Sequence, residues 1–353
     1  MKIKQLQHYM QTKDIDLTIF FTNETKKDFN VNYFGQAVCE IAYLVIPKKG
    51  ETILFLSQLE YGSIKADVRI EPLDQKLSKK LESGFRKIRK IGINYDVTSI
   101  NELKNFRKSF PKSKFTDISK ICKQLRETKT EEEIKIIKKA CSITDRIMKN
   151  CISNFNTFSS EQDVIAFLEN NFKKEGCTPS FSPIVASGAN AAIPHYKPEG
   201  KLKKGFCIID MGIIYKGYCS DMTRTIYIGK PSEREIDIYK TVLDAQENAI
   251  SNLKQGKPIK DIDKEMREIM GSYSKYFFHN PGHGLGVEVH EMPALTKYSK
   301  IKLKENNIIT IEPGIYIPGK LGIRIEDDIV ITKKGAVCLT KSPKDLICIT
   351  SGK

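Results

Sequence analysis

Apolar positions along the chain recur at two spacings. Ile3, Leu6, Tyr9 and Met10 fall on one stripe at helical period over residues 3–10. Residues 15–22 then read as a strand. Residues 39–46 and 52–56 read as two more, and Pro47-Lys48-Lys49-Gly50 between them is a hairpin signal. A further strand is predicted over 91–95, after a basic helix. Residues 1–125 therefore read as a small α/β domain with its own sheet.

A new segment opens at Thr130-Glu131-Glu132-Glu133, which has the form of a capping box. Thr130 can accept from the N–H of Glu133, whose side chain can reach back. Behind it Ile134, Ile137, Cys141 and Met148 make one helical stripe. A second helix is predicted over 160–175, before Gly176 and Pro179. Strands and hairpins follow to about residue 229, then a helix or two to about 276, then a strand-rich end. Residues 126–353 thus form a second, larger domain, and the fold class is α/β (α+β).

The chain has 353 residues, 40% apolar and 29% charged, which suits about two domains and excludes a disordered, collagen-like or small disulfide-built chain. No apolar run nears the ~18 residues of a membrane span. Met1-Lys2-Ile3-Lys4-Gln5 is basic but has no apolar core behind it, so a signal peptide is not expected and a cytoplasmic location is. The nine cysteines show no Cys-x-x-Cys spacing, and reduced, mostly buried thiols are expected. Net charge is +15, and residues 1–129, with 25 basic and 15 acidic side chains, supply +10 of it. The excess gathers around Lys79-Lys80, Arg86-Lys87, Arg89-Lys90 and Arg107-Lys108. No nucleic-acid-binding motif lies there, so it reads first as a solvated face, with a nucleic-acid or membrane surface as the lesser alternative.

Five segments carry metal-capable side chains in strand-like surroundings. They are Cys207-Ile208-Ile209-Asp210-Met211-Gly212, Ser220-Asp221-Met222-Thr223-Arg224-Thr225, Gly282-His283-Gly284-Leu285-Gly286, Ile311-Glu312-Pro313-Gly314 and Arg324-Ile325-Glu326-Asp327-Asp328. Two Asp, one His and two Glu suit a pair of hard-to-borderline divalent ions better than a Cys-rich structural zinc. If Lys216-Gly217 is a two-residue turn, Tyr215 faces Tyr218 and Gly212 faces Asp221. Asp210 and Asp221 then share a sheet face as diagonal neighbours. If residues 318–322 form the loop of a second hairpin, Ile317 faces Ile323 and Gly314 faces Glu326. Glu312 and Glu326 then repeat the diagonal offset, as a duplicated unit would. Thr223 shares the face of Asp221 and can hold its free oxygen. On the same register Tyr316 and Arg324 have the parity of Glu312 and Glu326.

These motifs resemble, in order and spacing, the pita-bread metallopeptidases, specifically the aminopeptidase P and proline dipeptidase family. The resemblance covers about residues 120–353. The N-terminal part is similar to the family's creatinase-like domain in size and element order. The resemblance implies that Asp210, Asp221, His283, Glu312 and Glu326 bind two metal ions, manganese or cobalt, with zinc possible. It implies that His290 contacts the scissile region and the tetrahedral intermediate, that His195 helps bind the proline side, and that His279 lies near the site. Tyr316 and Arg324 match positions that support the ligands. Family members are commonly homodimers.

The implied activity is hydrolysis of the bond between an N-terminal residue and proline, with Glu312 moving the proton. Proline dipeptidases of archaeal and bacterial type often carry Arg four residues after the histidine matching His290, whereas this chain has Ala294. That departure leans the reading toward an Xaa-Pro aminopeptidase taking longer peptides, with an Xaa-Pro dipeptidase as the alternative. A metal-free binding module is the remoter alternative.

Overall fold

The computed structural model describes residues 2–84 and 88–350. Arg86-Lys87 of the basic stretch lie outside the described residues. The chain divides into two compact units, Met1–Arg126 and Glu127–Lys353.

The first unit is built on a mixed six-stranded sheet. Its order is Arg69–Pro72, Ile53–Leu56, Ala42–Pro47, Leu17–Thr22, Lys90–Ile93 and Lys114–Asp117. Leu17–Thr22 runs antiparallel to Ala42–Pro47 and parallel to Lys90–Ile93. The predicted first hairpin is present, with Ala42 opposite Leu56. Leu17, Ile19, Val45, Phe55, Ile91 and Ile93 point to one face and are buried under Leu77, Leu81 and Phe110. Alternating side chains make that face continuous across four strands. The exposed helix Ile100–Ser109 starts at a capping box, Ser99 with Glu102.

The second unit repeats one arrangement, a pair of helices packed on a sheet. In the first half the pair is Glu131–Ser153 and Glu161–Lys174. The expected capping box is formed: Thr130 N–H donates to Glu133 at 2.7 Å, and Glu133 N–H to Thr130 at 3.3 Å. Ile137, Cys141, Ile147 and Met148 form the buried stripe of the long helix. The sheet beneath has the order Cys348–Ile349, Met222–Ile228, Gly205–Met211, Ile184–Ser187. In the second half, helices Glu233–Ser251 and Ile259–Met270 accompany a five-stranded sheet. Its order is Glu291–Leu295, Gly282–Gly284, Ile308–Ile311, Asp327–Thr332, Gly335–Cys338.

The two registers read from the sequence fare differently. Tyr215 does face Tyr218, across a turn in which Lys216 and Gly217 have φ of 49° and 81°. Positive φ at both central residues is the primed turn that matches strand twist. The second hairpin is shifted by two residues. Ile317 faces Leu321, and Gly314 faces Arg324, not Glu326. The loop is shorter because Gly322 is a strand residue, not a turn residue. A Cβ on Gly322 would stand 1.7 Å from the carbonyl oxygen of Ala191, so this glycine serves a close approach of backbone. The shift is even, so every side chain keeps its face, but the matched diagonal offset of the two acid pairs does not exist.

Seven of the nine cysteines are buried and none is bonded to another. Among the described residues no helix is long and apolar enough to cross a membrane.

Candidate metal centre

The centre forms where strand pairing is interrupted. Asp210 sits in Gly205–Met211 directly opposite Thr223, and Asp221 immediately precedes the partner strand. In the other sheet Ile311 pairs with Asp327, and further along Gly314 pairs with Arg324. Glu312 and Glu326 lie in the unpaired stretch between, opposite one another by register. His283 is in the short strand Gly282–Gly284.

Asp221, His283 and Glu326 each bring one donor atom within 4.8 Å of the others. His283 Nε2 lies 3.5 Å from Asp221 Oδ2 and 3.4 Å from Glu312 Oε1. Its Nδ1 donates to the carbonyl of Gly284 at 3.1 Å. A carbonyl only accepts, so the proton is on Nδ1 and the Nε2 lone pair faces the acids. Asp210 joins through Arg324, whose guanidinium donates to Asp210 Oδ2, to the Tyr316 hydroxyl at 2.8 Å and to Thr223 Oγ1 at 3.1 Å. Thr223 in turn donates to Glu326 Oε2 at 2.7 Å. Thr223 thus serves Glu326, and not Asp221 as the sequence suggested. The backbone N–H of Glu326 bonds the carbonyl of Thr223 at 3.1 Å and brings the carboxylate alongside.

The histidines gather here as well. The His290 ring stands edge-on to His283, centroids 4.2 Å apart. His279 Nδ1 donates to the Asn280 carbonyl, so its Nε2 accepts from the Tyr316 hydroxyl at 2.9 Å. Its Nδ1 is 3.8 Å from Glu312 Oε2. His195 is exposed, and the carbonyl of its neighbour Pro194 is 3.5 Å from Arg324 Nη1. The fifth histidine, His8, lies on helix Lys2–Thr12 of the first unit.

Burial dominates the electrostatics. It raises the Asp221 carboxyl well above the usual range, with repulsion from Glu326 and Asp210 adding to it. Glu326 and Glu312 are raised by burial in the same way. Burial lowers His279, His283 and His290, and for His290 the neighbouring His283 and His195 add to the effect. Neutral imidazoles among crowded acids are a state that a cation relieves. The donors present fit such a group. Asp210 Oδ1 and Asp221 Oδ1 are buried with no hydrogen-bond partner. Four carboxylates and one imidazole nitrogen suit hard-to-borderline divalent ions.

Three supporting residues escaped the sequence reading. Asp328 accepts the backbone N–H of Asp221 at 2.9 Å. Thr310 accepts the His283 N–H at 3.0 Å and donates to Glu312 Oε1 at 3.2 Å. Buried Arg224 donates to the Glu326 carbonyl at 2.6 Å and to Asp327 at 2.7 Å. Asp328 and Arg224 stand inside the quoted motifs, and Thr310 shares the parity of Glu312, so period-two reasoning had the signal for it.

Residues 135–333 match metallopeptidase family M24, and residues 2–128 match the creatinase/prolidase N-terminal domain. The chain is 36% identical over 352 residues to the Xaa-Pro dipeptidase of Pyrococcus furiosus, covering 98% of this chain and 99% of that relative. It resembles the solved prolidase of Pyrococcus horikoshii OT3 with a TM-score of 0.89 at 34% identity, over 98% of this chain and 99% of that one. It resembles the X-Pro aminopeptidase of Thermotoga maritima MSB8 with a TM-score of 0.89 at 31% identity, over 95% and 98%.

Proposed function

The chain belongs to metallopeptidase family M24, a pita-bread unit behind a creatinase/prolidase N-terminal domain and a metal-dependent hydrolase of the Xaa-Pro peptidase class, and on that premise we propose that it is an Xaa-Pro dipeptidase. The observation that carries the proposal is the convergence of Asp221, His283 and Glu326 within 4.8 Å, beside buried Asp210 and Asp221 oxygens that lack partners.

In this proposal Asp210, Asp221, His283, Glu312 and Glu326 hold two divalent ions, manganese or cobalt, with zinc as the alternative. When bound, such ions polarise the scissile carbonyl and make water acidic enough to supply a nucleophile near neutral pH. Glu312 takes the proton from water and returns it to the proline nitrogen as that nitrogen leaves. His290, kept neutral by burial, donates its ring N–H to the developing oxyanion. The substrate's free amine sits beside Asp210. His195 receives the proline side, and His279 is held in place by Tyr316. The bond before proline is a tertiary amide without an N–H, so recognition falls on the ring and the two chain ends. A homodimer, tested by light scattering, is part of the proposal.

The preference for dipeptides is supported by the full-length similarity to the Xaa-Pro dipeptidase of Pyrococcus furiosus. The sequence alone leaned the other way because of Ala294. That residue speaks only for the absence of one clamp, since another Lys or Arg can bind the substrate carboxylate. The aminopeptidase reading stays the second one, favoured by Ala294 and by the similarity to the Thermotoga maritima enzyme. Release of alanine from Ala-Pro and from Ala-Pro-Ala, with Mn²⁺, with Co²⁺ and after chelation, separates the two. Cleavage of the dipeptide alone supports the proposal. Efficient cleavage of the tripeptide supports the second reading, and inactivity on both with metal bound overturns both.

A further inference from the structure

Glu161, the first residue of helix Glu161–Lys174, is completely buried yet remote in sequence from every ligand. Its Oε1 accepts from the Ser187 backbone N–H at 2.8 Å, the Ser187 hydroxyl at 2.8 Å and Asn190 Nδ2 at 3.0 Å. Its Oε2 accepts from the backbone N–H groups of Glu199 and Gly200 at 3.3 and 3.2 Å. Its own N–H donates to the Gly200 carbonyl at 2.9 Å. These donors are uncharged and converge on one side chain. A buried carboxylate is tolerated only when so surrounded. An amide cannot replace it without turning an NH₂ toward donors.

Ser187 and Gly200 bracket one segment. Between them run the 3₁₀ turn Gly188–Ala192 and then Ile193, Pro194 and His195. Asn190 also donates to the Tyr196 hydroxyl at 2.8 Å, which ties the middle of the segment to the same carboxylate. The far side of the segment meets the metal centre. The Pro194 carbonyl lies 3.5 Å from Arg324 Nη1, and the Ala191 carbonyl packs over Gly322. Ile193, half exposed at 52%, precedes His195 by two.

We propose that Glu161 is a positioning residue for substrate binding. It staples both ends of segment 187–200 to the start of one helix and so holds His195 at the mouth of the centre. The proposal rests on the reading in which His195 meets the proline side of the substrate.

The test uses the full chain loaded with Mn²⁺, as wild type, Glu161→Gln and Asn190→Ala. Four quantities are read: KM and kcat for Ala-Pro, bound manganese, and hydrogen exchange over 187–200. Glu161→Gln should raise KM roughly tenfold, a loss of the kind that follows displacement of a binding group. Its kcat should stay within about threefold, its manganese content should be unchanged, and exchange over 187–200 should quicken. Asn190→Ala should shift the same quantities in the same direction by less, and it carries the test if Glu161→Gln does not fold. An unchanged KM in the face of faster exchange overturns the proposal. So does a joint fall of kcat and bound metal, which would mark a general structural role. Unchanged exchange in both variants defeats the staple alone, whereas a metal-loaded wild type that cleaves no Xaa-Pro peptide defeats the functional reading and the substrate role with it.

Discussion

The backbone N–H of Asp221 donates to Asp328 Oδ2 at 2.9 Å, across 107 residues of chain. The same oxygen accepts the Cys141 thiol at 3.3 Å. Asp328 therefore fixes the start of the strand that presents Asp221. Asp328→Ala should lower divalent-metal affinity roughly 10–100-fold, read by competition with a chelator. Asp328→Asn keeps one acceptor oxygen and should lose less.

The same residue gives the metal-free protein a signature in pH. Burial pushes the Asp328 carboxyl up to about 8, against the bonds from Asp221 and Cys141. The folded chain then holds a proton that the unfolded chain releases near 3.8. Its contribution to stability falls as pH rises between those values. Asn at 328 does not titrate. The stability of wild type minus Asp328→Asn should therefore decline from about pH 4 to about pH 8, by at most about 1.4 kcal/mol per pH unit. Urea unfolding of the chelated proteins measures it, and a flat difference contradicts the assignment.

Glu312 is asked to move a proton as well as to hold an ion. Glu312→Ala should abolish turnover of Ala-Pro. Glu312→Gln should lower kcat roughly 10²–10⁴-fold, in steady-state assays with manganese in excess. Activity within tenfold of wild type would remove Glu312 from the proton path.

Chelation should stop hydrolysis, and added Mn²⁺ or Co²⁺ should restore it. Metal at about a hundredfold above its Kd should stabilise the fold by about 2.7 kcal/mol per site. Thermal melts with and without the ion test this, and an unchanged melting temperature counts against ligation by the named residues.

Ala294 is exposed on the strand Glu291–Leu295, four residues after His290. Ala294→Arg should lower KM for Ala-Pro about tenfold, the worth of one charge-assisted hydrogen bond. It should leave the KM of Ala-Pro-Ala within about twofold. Equal effects on both peptides would show that residue 294 does not face the substrate carboxylate.

Gly322→Ala should be the most damaging methyl in the second unit, because its Cβ would fall 1.7 Å from a backbone oxygen. Overpacking of this kind costs about 3 kcal/mol or more. A denaturant midpoint within experimental error of wild type would refute the close approach.

The residues that form the centre were legible because each stands in a short motif, either on a strand, as Asp210 and His283 do, or in the extended chain adjoining one, as Asp221, Glu312 and Glu326 do, where parity still fixes the face. The even slip of the second hairpin shows the limit of that logic. Gly322 looks like a turn residue in sequence, and only the neighbouring Ala191 carbonyl explains its place in a strand. Thr223 was assigned to its near neighbour Asp221, whereas its partner Glu326 lies 103 residues away. Glu161 was invisible for the same reason: its partners lie 26 to 39 residues on. Local period reveals faces, but hydrogen-bond partners across distant strands depend on how sheets meet. The peptide-length preference hung on one residue, Ala294, and full-length similarity weighed against it.

The interrupted strands that present the acids join pieces of chain more than a hundred residues apart, as the contacts Thr223–Glu326 and Asp210–Arg324 show. On the proposed ligation, a cation held by Asp221 and Glu326 would be a reversible cross-link closing a very long loop. Clips of that kind act largely by restricting the unfolded ensemble, and their effect grows with loop length. Loading the ion would then do for this chain what disulfides do elsewhere, through a bond that a chelator can open, while its cysteines stay unpaired.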